Sequence, residues 1–289
     1  MDRILIRVTC LKTRFILAAH PQTRAGGQYH IGCKKGDVGR YVFLPGDPDR
    51  VPRIAEFWDS AQEVSSHREY RIWTGRLDGI MVSACSTGIG GPATAIAFEE
   101  LAAIGGDTFV RVGTCGALQK EIQCGDLVIS TAAVRLDGTS TQYVQPEYPA
   151  VANYEIVLSL IEATEKLGYR YHVGCTASSD SFYVGQGRPG FKGYLPLGAD
   201  KTVETMSRVN VLNFEMEAAT IFTLAGIYGL RAGAVCTVYA NRITNRFETK
   251  GEEEVCKVAV EAVRTLAQWD RERMKKRKHY WYPSLVFRR

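Results

Sequence analysis

Two periods of apolar residues alternate along this chain. Tyr41–Leu44, Thr108–Val112 and Arg231–Tyr239 are short runs rich in β-branched and aromatic residues and bounded by turn formers, the pattern of buried strands. Gln62–Thr74 and Gly79–Cys85 read as two strands around the Leu77-Asp78-Gly79 turn. Asp126–Val134 and Tyr171–Ala177 read as two more. Between them the period changes to that of a helix. Pro48–Trp58 is predicted as a helix with Asp47 as N-cap and Pro48 in its first turn. Pro92–Ile104 follows a glycine-rich loop. Val151–Leu167 stops at Gly168, the Ala-rich Met216–Tyr228 closes at Gly229, and Glu252–Trp269 is the last helix. This alternation predicts one α/β domain, a central sheet with helices on both faces and no linker dividing it. In such sheets ligands gather at the loops leaving the carboxyl ends of the strands.

Composition narrows the function classes. A hydrophobic share of 45% with 23% charged residues is that of a globular protein with a sizeable core, and no apolar run approaches the ~18 residues of a membrane span. The formal charge of +5 is unevenly spread: residues 1–29 carry +4 and residues 270–289 carry +6, which leaves the body at −5. The basic character lives in the two ends, so it is poor evidence for a nucleic-acid-binding fold. The eight cysteines are scattered without a Cys-x-x-Cys pair, which argues against a zinc site or a disulfide framework and for a reducing compartment. Cys115 reads as a small packed thiol, since no His lies near it in sequence.

Several segments after predicted strands carry chemistry. In Thr176–Arg188 an aromatic ring, Phe182, is followed by a carboxamide, Gln186, and a guanidinium, Arg188. A flat heterocycle with alternating donors and acceptors needs such a plate, such a two-way polar group and such a planar cation. The segment Leu44–Arg50 offers Gly46 for close backbone approach and Arg50 just inside a helix; Ser66–Tyr70 offers Arg68; and Arg111–Gly116 offers Arg111, Gly113 and Thr114. Any one of these arginines alone is more often a surface charge. Three beside glycine turns, with a hydroxyl and no Walker-type loop, suit a free inorganic phosphate rather than a nucleoside triphosphate. Asn213–Glu217 sets two carboxylates around a methionine. A carboxylate can accept from both hydroxyls of a vicinal diol, and Met216 offers a soft surface to a sugar. The plainer reading of either Glu is a charge complementing a helix start. The glycine-rich Ser86–Pro92 is equally a ligand loop or a tight strand-to-helix connection.

Taken together, FLPGDPDR, SSHREY, STGIGGP, RVGTCG, TASSDSFYVGQGR and NFEMEAAT, with Asn241-Arg242 after the last strand, resemble the bacterial-type uridine phosphorylases of the nucleoside phosphorylase superfamily, in order and at similar spacing from about His30 to Leu266. The resemblance implies a mixed-sheet α/β fold and a hexamer built as a trimer of dimers, with the dimer as the smallest active unit. It implies reversible cleavage of uridine by phosphate to uracil and ribose 1-phosphate, and no organic cofactor. By position it places Gly46, Arg50, Arg111 and Thr114 on phosphate, joined by Arg68 of the partner subunit. It places His30 of the partner subunit on the ribose 5′-hydroxyl; Glu215, Met216 and Glu217 on the sugar; and Phe182, Gln186, Arg188 and Arg242 on uracil. Arg111, Arg188 and Glu217 are then the catalytic set. Purine-cleaving relatives carry an Asp after the last strand, so Asn241-Arg242 implies a pyrimidine. In the family a Glu, here Glu69, joins a loop serine in holding a monovalent cation such as K+; the serine position is Ala93, a departure. The loop after Arg242 also lacks the proline and apolar residues of the family lid. A purine phosphorylase, a water-using nucleosidase and a catalytically silent homologue stay as alternatives, the nucleosidase being disfavoured by three arginines that water does not require.

The ends fall outside the resemblance. Residues 1–29 form a basic extension that reads as unstructured, with an organellar transit peptide as the sharper alternative to a cytoplasmic protein. Residues 270–289 mix Lys275–Lys278 with Tyr280-Trp281-Tyr282; a packed or solvated extension is favoured there over binding to a membrane or RNA.

Overall fold

The computed structural model describes residues 18–19, 21–23 and 25–285. Residues 1–17, most of the basic extension, lie outside the described residues. The strands are β1 (Tyr41–Leu44), β2 (Ser60–His67), β3 (Tyr70–Leu77), β4 (Ile80–Cys85), β5 (Thr108–Ala117), β6 (Leu127–Leu136), β7 (Ala150–Val151), β8 (Tyr171–Ser179), β9 (Asn213–Glu215), β10 (Arg231–Asn241) and β11 (Arg246–Phe247). The helices are α1 (Arg50–Ala55), α2 (Gly91–Ala103), α3 (Gly138–Tyr143), α4 (Tyr154–Leu167), α5 (Thr202–Arg208), α6 (Ala218–Tyr228) and α7 (Glu252–Lys275).

All eleven strands join one mixed sheet in the order β11-β10-β6-β8-β9-β5-β1-β4-β3-β2, with β7 on β6. Strand β10 pairs with β5 as well as with β6, so β5, β10, β6, β8 and β9 close into a ring. The central strands are apolar on both sides because both sides are covered. Phe43, Val110, Val112 and Val235 face α1, α4 and α7, whereas Val42, Leu44, Phe109 and Ala234 face α2 and α6. Helix α6, buried from Ala218 to Ala225, accordingly has no polar stripe.

Several sequence expectations shift. Gln62–Thr74 is not one strand: the chain reverses at Arg68, which adopts φ +57°, and continues as β3 antiparallel to β2. Helix α1 starts at Arg50 rather than Pro48, and the Asp47 carboxylate accepts from Asp49 N at 2.9 Å instead of capping a helix. Helix α4 starts three residues later than predicted, where Asn153 Oδ1 accepts from Glu155 N and Ile156 N. Helix α7 runs on to Lys275. The chain beyond it turns back, stacking Trp281 on Trp269 with centroids 3.9 Å apart and planes 16° apart. Asp270 is buried there, accepting from Tyr41 Oη and from Arg231 Nη2, each at 2.6 Å, and from Arg273 Nη2 at 2.8 Å. Residues 270–285 are therefore part of the fold.

Candidate active site

The ring of strands has an open stretch on β5. Strand β5 pairs with β1 only over Thr108–Arg111 and with β9 only at Gly116 and Ala117. Between them one edge of β5 has no neighbour, and Gly113, Thr114 and Cys115 line a cavity of about 840 Å³. Loops following β1, β4, β8, β9 and β10 close it, and β11 completes its rim. β5 continues five residues beyond the predicted Val112, so Gly113 and Thr114 sit within the strand and not after it.

Gly46, Arg50, Arg111 and Thr114 lie in the wall, as do Phe182, Gln186, Arg188, Glu215, Met216, Glu217 and Arg242. Arg50 and Arg111 are 6% and 4% exposed, so each needs partners. Arg111 Nε donates to Glu215 Oε2 at 2.7 Å, and its Nη2 approaches Glu217 Oε2 at 2.5 Å. Burial alone would lower the Arg111 pKa, but Glu217 and Glu215 hold it above its ordinary value. The Glu217 carboxyl is pushed up, first by burial and also by Glu215, with Arg111 opposing. Glu217 Oε1 also accepts from Gly90 N at 2.5 Å, which fixes the glycine-rich loop against the cavity.

Glu215 is the one sugar candidate whose side chain has no free face. It is wholly buried, and its oxygens accept from Arg111 Nε, Ser178 Oγ, Glu217 N and Ala218 N. In this geometry it orients Arg111 and the start of α6 rather than meeting a ligand.

At the other end Phe182 is half exposed, and the Arg188 guanidinium lies 4.0 Å over its ring. Arg188 Nη1 donates to Phe182 O at 2.8 Å and to Gln186 Oε1 at 2.5 Å. Arg242 Nη1 donates to Gln186 O at 3.0 Å. Burial, and then the Arg242 charge, lower the Arg188 pKa to about 10, which still leaves it cationic at neutral pH. Two separated segments, the loop after β8 and the exit of β10, thus bring an aromatic ring, a carboxamide and two guanidinium groups together at this end.

Asn241 plays a part the sequence did not disclose. It is 2% exposed, and its Nδ2 donates to Gln119 O at 2.8 Å and Ile122 O at 2.6 Å. Its Oδ1 accepts from Ile243 N and Thr244 N. All four bonds serve the chain itself, so Asn241 sets the exit of β10 and aims Arg242. Cys115 is buried and its thiol is raised well above its ordinary value by burial, so it stays protonated, in accord with a packing role.

Arg68 and His30 do not line this cavity. Arg68 is exposed at the β2–β3 turn. His30 lines a second hollow, its Nδ1 2.7 Å from Glu100 Oε1. Glu69 stands against Gly88 beside Ala93. Among the described residues no three His, Cys, Asp or Glu are grouped to hold a metal, the seven described cysteines are free, and no helix is long and apolar enough to cross a membrane.

The chain is 60% identical to the uridine phosphorylase of Thermococcus kodakarensis over 94% of its own length and 98% of that protein. It is 44% identical to the uridine phosphorylase of Escherichia coli over 82% of its length and 97% of that protein. A guanosine phosphorylase of Halorubrum lacusprofundi is also 44% identical, over 75% of this chain and 84% of that protein. The model of the phosphorylase superfamily matches residues 40–271, from the first strand of the sheet to the last turns of α7, so the chain belongs to the phosphorylase superfamily.

Proposed function

We propose that this chain catalyses the reversible phosphorolysis of uridine to uracil and ribose 1-phosphate, a pentosyl transfer that serves pyrimidine salvage. The observation that carries the reading is that one cavity holds an anion end, a carboxylate in the middle and a planar recognition end. Relatives named as uridine phosphorylases support the choice of substrate.

In this reading Gly46, Arg50, Arg111 and Thr114 bind phosphate, Met216 and Glu217 hold the ribose, and Phe182, Gln186, Arg188 and Arg242 hold uracil. Phosphate attacks C1′ as the C1′–N1 bond breaks and the bonding pair passes into the pyrimidine. The sugar becomes oxocarbenium-like, and Glu217 and the phosphate dianion both face that positive charge. Arg188 and the Gln186 amide donate into the developing uracil anion, and each such donor is typically worth about 3 kcal/mol. Glu217 is poised for this because Arg111 and Gly90 N fix its two oxygens before substrate arrives.

The resemblance set out from the sequence ties purine cleavage to an Asp after the last strand. Here Asn241 is committed to four scaffold bonds, which favours a pyrimidine over the base of the guanosine phosphorylase relative. Arg68 and His30 lie outside their own cavity and complete a neighbour's in a dimer, the minimal unit of a hexamer. Phosphate is the co-substrate and no organic cofactor takes part. A K+ ion at Glu69 lacks the oxygen that Ala93 removes, so turnover is expected to be indifferent to K+. The enzyme acts in the cytoplasm, without nucleic acid or membrane. Product analysis tests the reading: uracil with ribose 1-phosphate supports it, and uracil with free ribose makes the protein a hydrolase instead.

A further inference from the structure

The two buried arginines of the anion end are held in the same way. Each gives its Nε–H to a carboxylate: Arg111 to Glu215 at 2.7 Å and Arg50 to Glu252 at 2.9 Å. Glu252 is not in the cavity wall and lies 202 residues from Arg50 in sequence. It is the first residue of α7, directly after Gly251, whose φ of +86° suits glycine and where a Cβ would meet Thr237 Oγ1 at 2.2 Å. That junction leaves the chain little freedom, so the carboxylate is delivered to a fixed point.

A guanidinium is planar, with five N–H groups in a rigid fork. Arg50 spends Nε on Glu252 and one Nη1 hydrogen on Val112 O at 3.3 Å, and those two bonds fix its plane. The remaining N–H groups are left for Tyr239, in the cavity wall, and for a ligand. Glu252 is in turn fixed by a second cation, Arg53. Its chain position matters as well. The preceding loop contributes Asn245, Arg246 and Phe247 to the cavity, so one carboxylate ties the anion end to the base of that loop.

We propose that Glu252 is a positioning residue that holds Arg50 in the plane that meets phosphate and so sets the affinity for phosphate. The inference rests on the reading that Arg50 binds phosphate. Steady-state kinetics on full-length R50A, E252A, E252Q, R53A and R50A/E252A, with uridine and phosphate varied in turn, test it. R50A and E252A are each expected to raise the phosphate KM about tenfold or more, the loss of one charge-assisted bond, with the uridine KM within about twofold. The double variant should be no worse than R50A. E252Q, which keeps an oxygen for Nε–H, should fall between wild type and E252A, and R53A, which loosens Glu252 without removing its bond to Arg50, should raise the phosphate KM less than E252A does.

If R50A raises the phosphate KM while E252A leaves it unchanged, the inference is overturned. Additive effects in the double variant, or equal rises in both KM values, overturn it too, since they indicate general loosening. An R50A that leaves the phosphate KM unchanged overturns the underlying reading of the anion end instead. Should E252A not fold, the same cycle with E252Q decides, and an unchanged phosphate KM there counts against the proposal.

Discussion

Asn241→Asp exchanges an amide for an almost isosteric carboxylate, and its consequences follow from four hydrogen bonds. The two accepted by Oδ1 from Ile243 N and Thr244 N survive. The two donated by Nδ2 are lost, and an oxygen now faces the carbonyls of Gln119 and Ile122 at 2.8 and 2.6 Å. Leaving a buried polar group without its partner costs about 1–3 kcal/mol, so the variant should lose roughly 2–6 kcal/mol of stability. For a chain of this size that is a fall in Tm of about 3–10 °C, measured by calorimetry on the assembled protein. The sign with pH is fixed as well. An Asp facing carbonyl oxygens has its folded pKa raised, because only the protonated form can donate to one of them. Between about 3.9, the unfolded value, and that raised value, the native state binds more protons than the unfolded state. Stability of the variant relative to wild type therefore falls as pH rises through that window. Phosphorolysis of uridine should drop because Arg242 is re-aimed, and inosine should remain uncleaved. A variant as stable as wild type that gains inosine phosphorolysis would refute the claim that Asn241 is committed to the scaffold.

The remaining predictions concern both ends of the cavity, the carboxylate between them and the C-terminal turn. Arg188→Ala should raise the uridine KM with the phosphate KM little changed, and Arg111→Ala should do the reverse; equal losses in both would argue against the assigned roles. Arg111→Ala should also melt earlier, by the equivalent of about 3–5 kcal/mol, because it leaves Glu215 and Glu217 buried without their cation. The acid limb of kcat/KM for uridine should lie above the ordinary Glu value of about 4.3, since burial raises Glu217, and Glu217→Gln should abolish that limb. Trp281→Ala removes a buried indole from its stack on Trp269 and should cost about 3–5 kcal/mol in unfolding experiments, with kinetics at 25 °C unchanged.

Much of this was readable in the sequence because the strands are covered on both faces. Runs such as Tyr41–Leu44 and Thr108–Val112 have no solvent side to blur them. The Arg68 hairpin was missed because a polar, exposed β2 carries no apolar period and the turn uses Arg at positive φ in place of glycine. Closure of five strands into a ring depends on long-range pairing of β10 with β5 and β6, which leaves no local trace. At the site, residue types announced the anion and planar ends. Sequence could not separate Glu215 from Glu217: both are acids in one short segment, and only the accepted bonds show that one is spent on Arg111. Nor could it show that Asn241 points inward, or that Glu252 meets Arg50 across 202 residues.

The most direct test of the account compares kcat/KM for uridine, inosine and guanosine with purified full-length protein while phosphate is titrated from zero. The account predicts turnover of uridine that vanishes without phosphate and saturates with it, and rates for both purine nucleosides lower by orders of magnitude. Guanosine or inosine cleaved as well as uridine would contradict the pyrimidine assignment of the Phe182–Gln186–Arg188 surface, and uridine cleavage without phosphate would contradict the anion end.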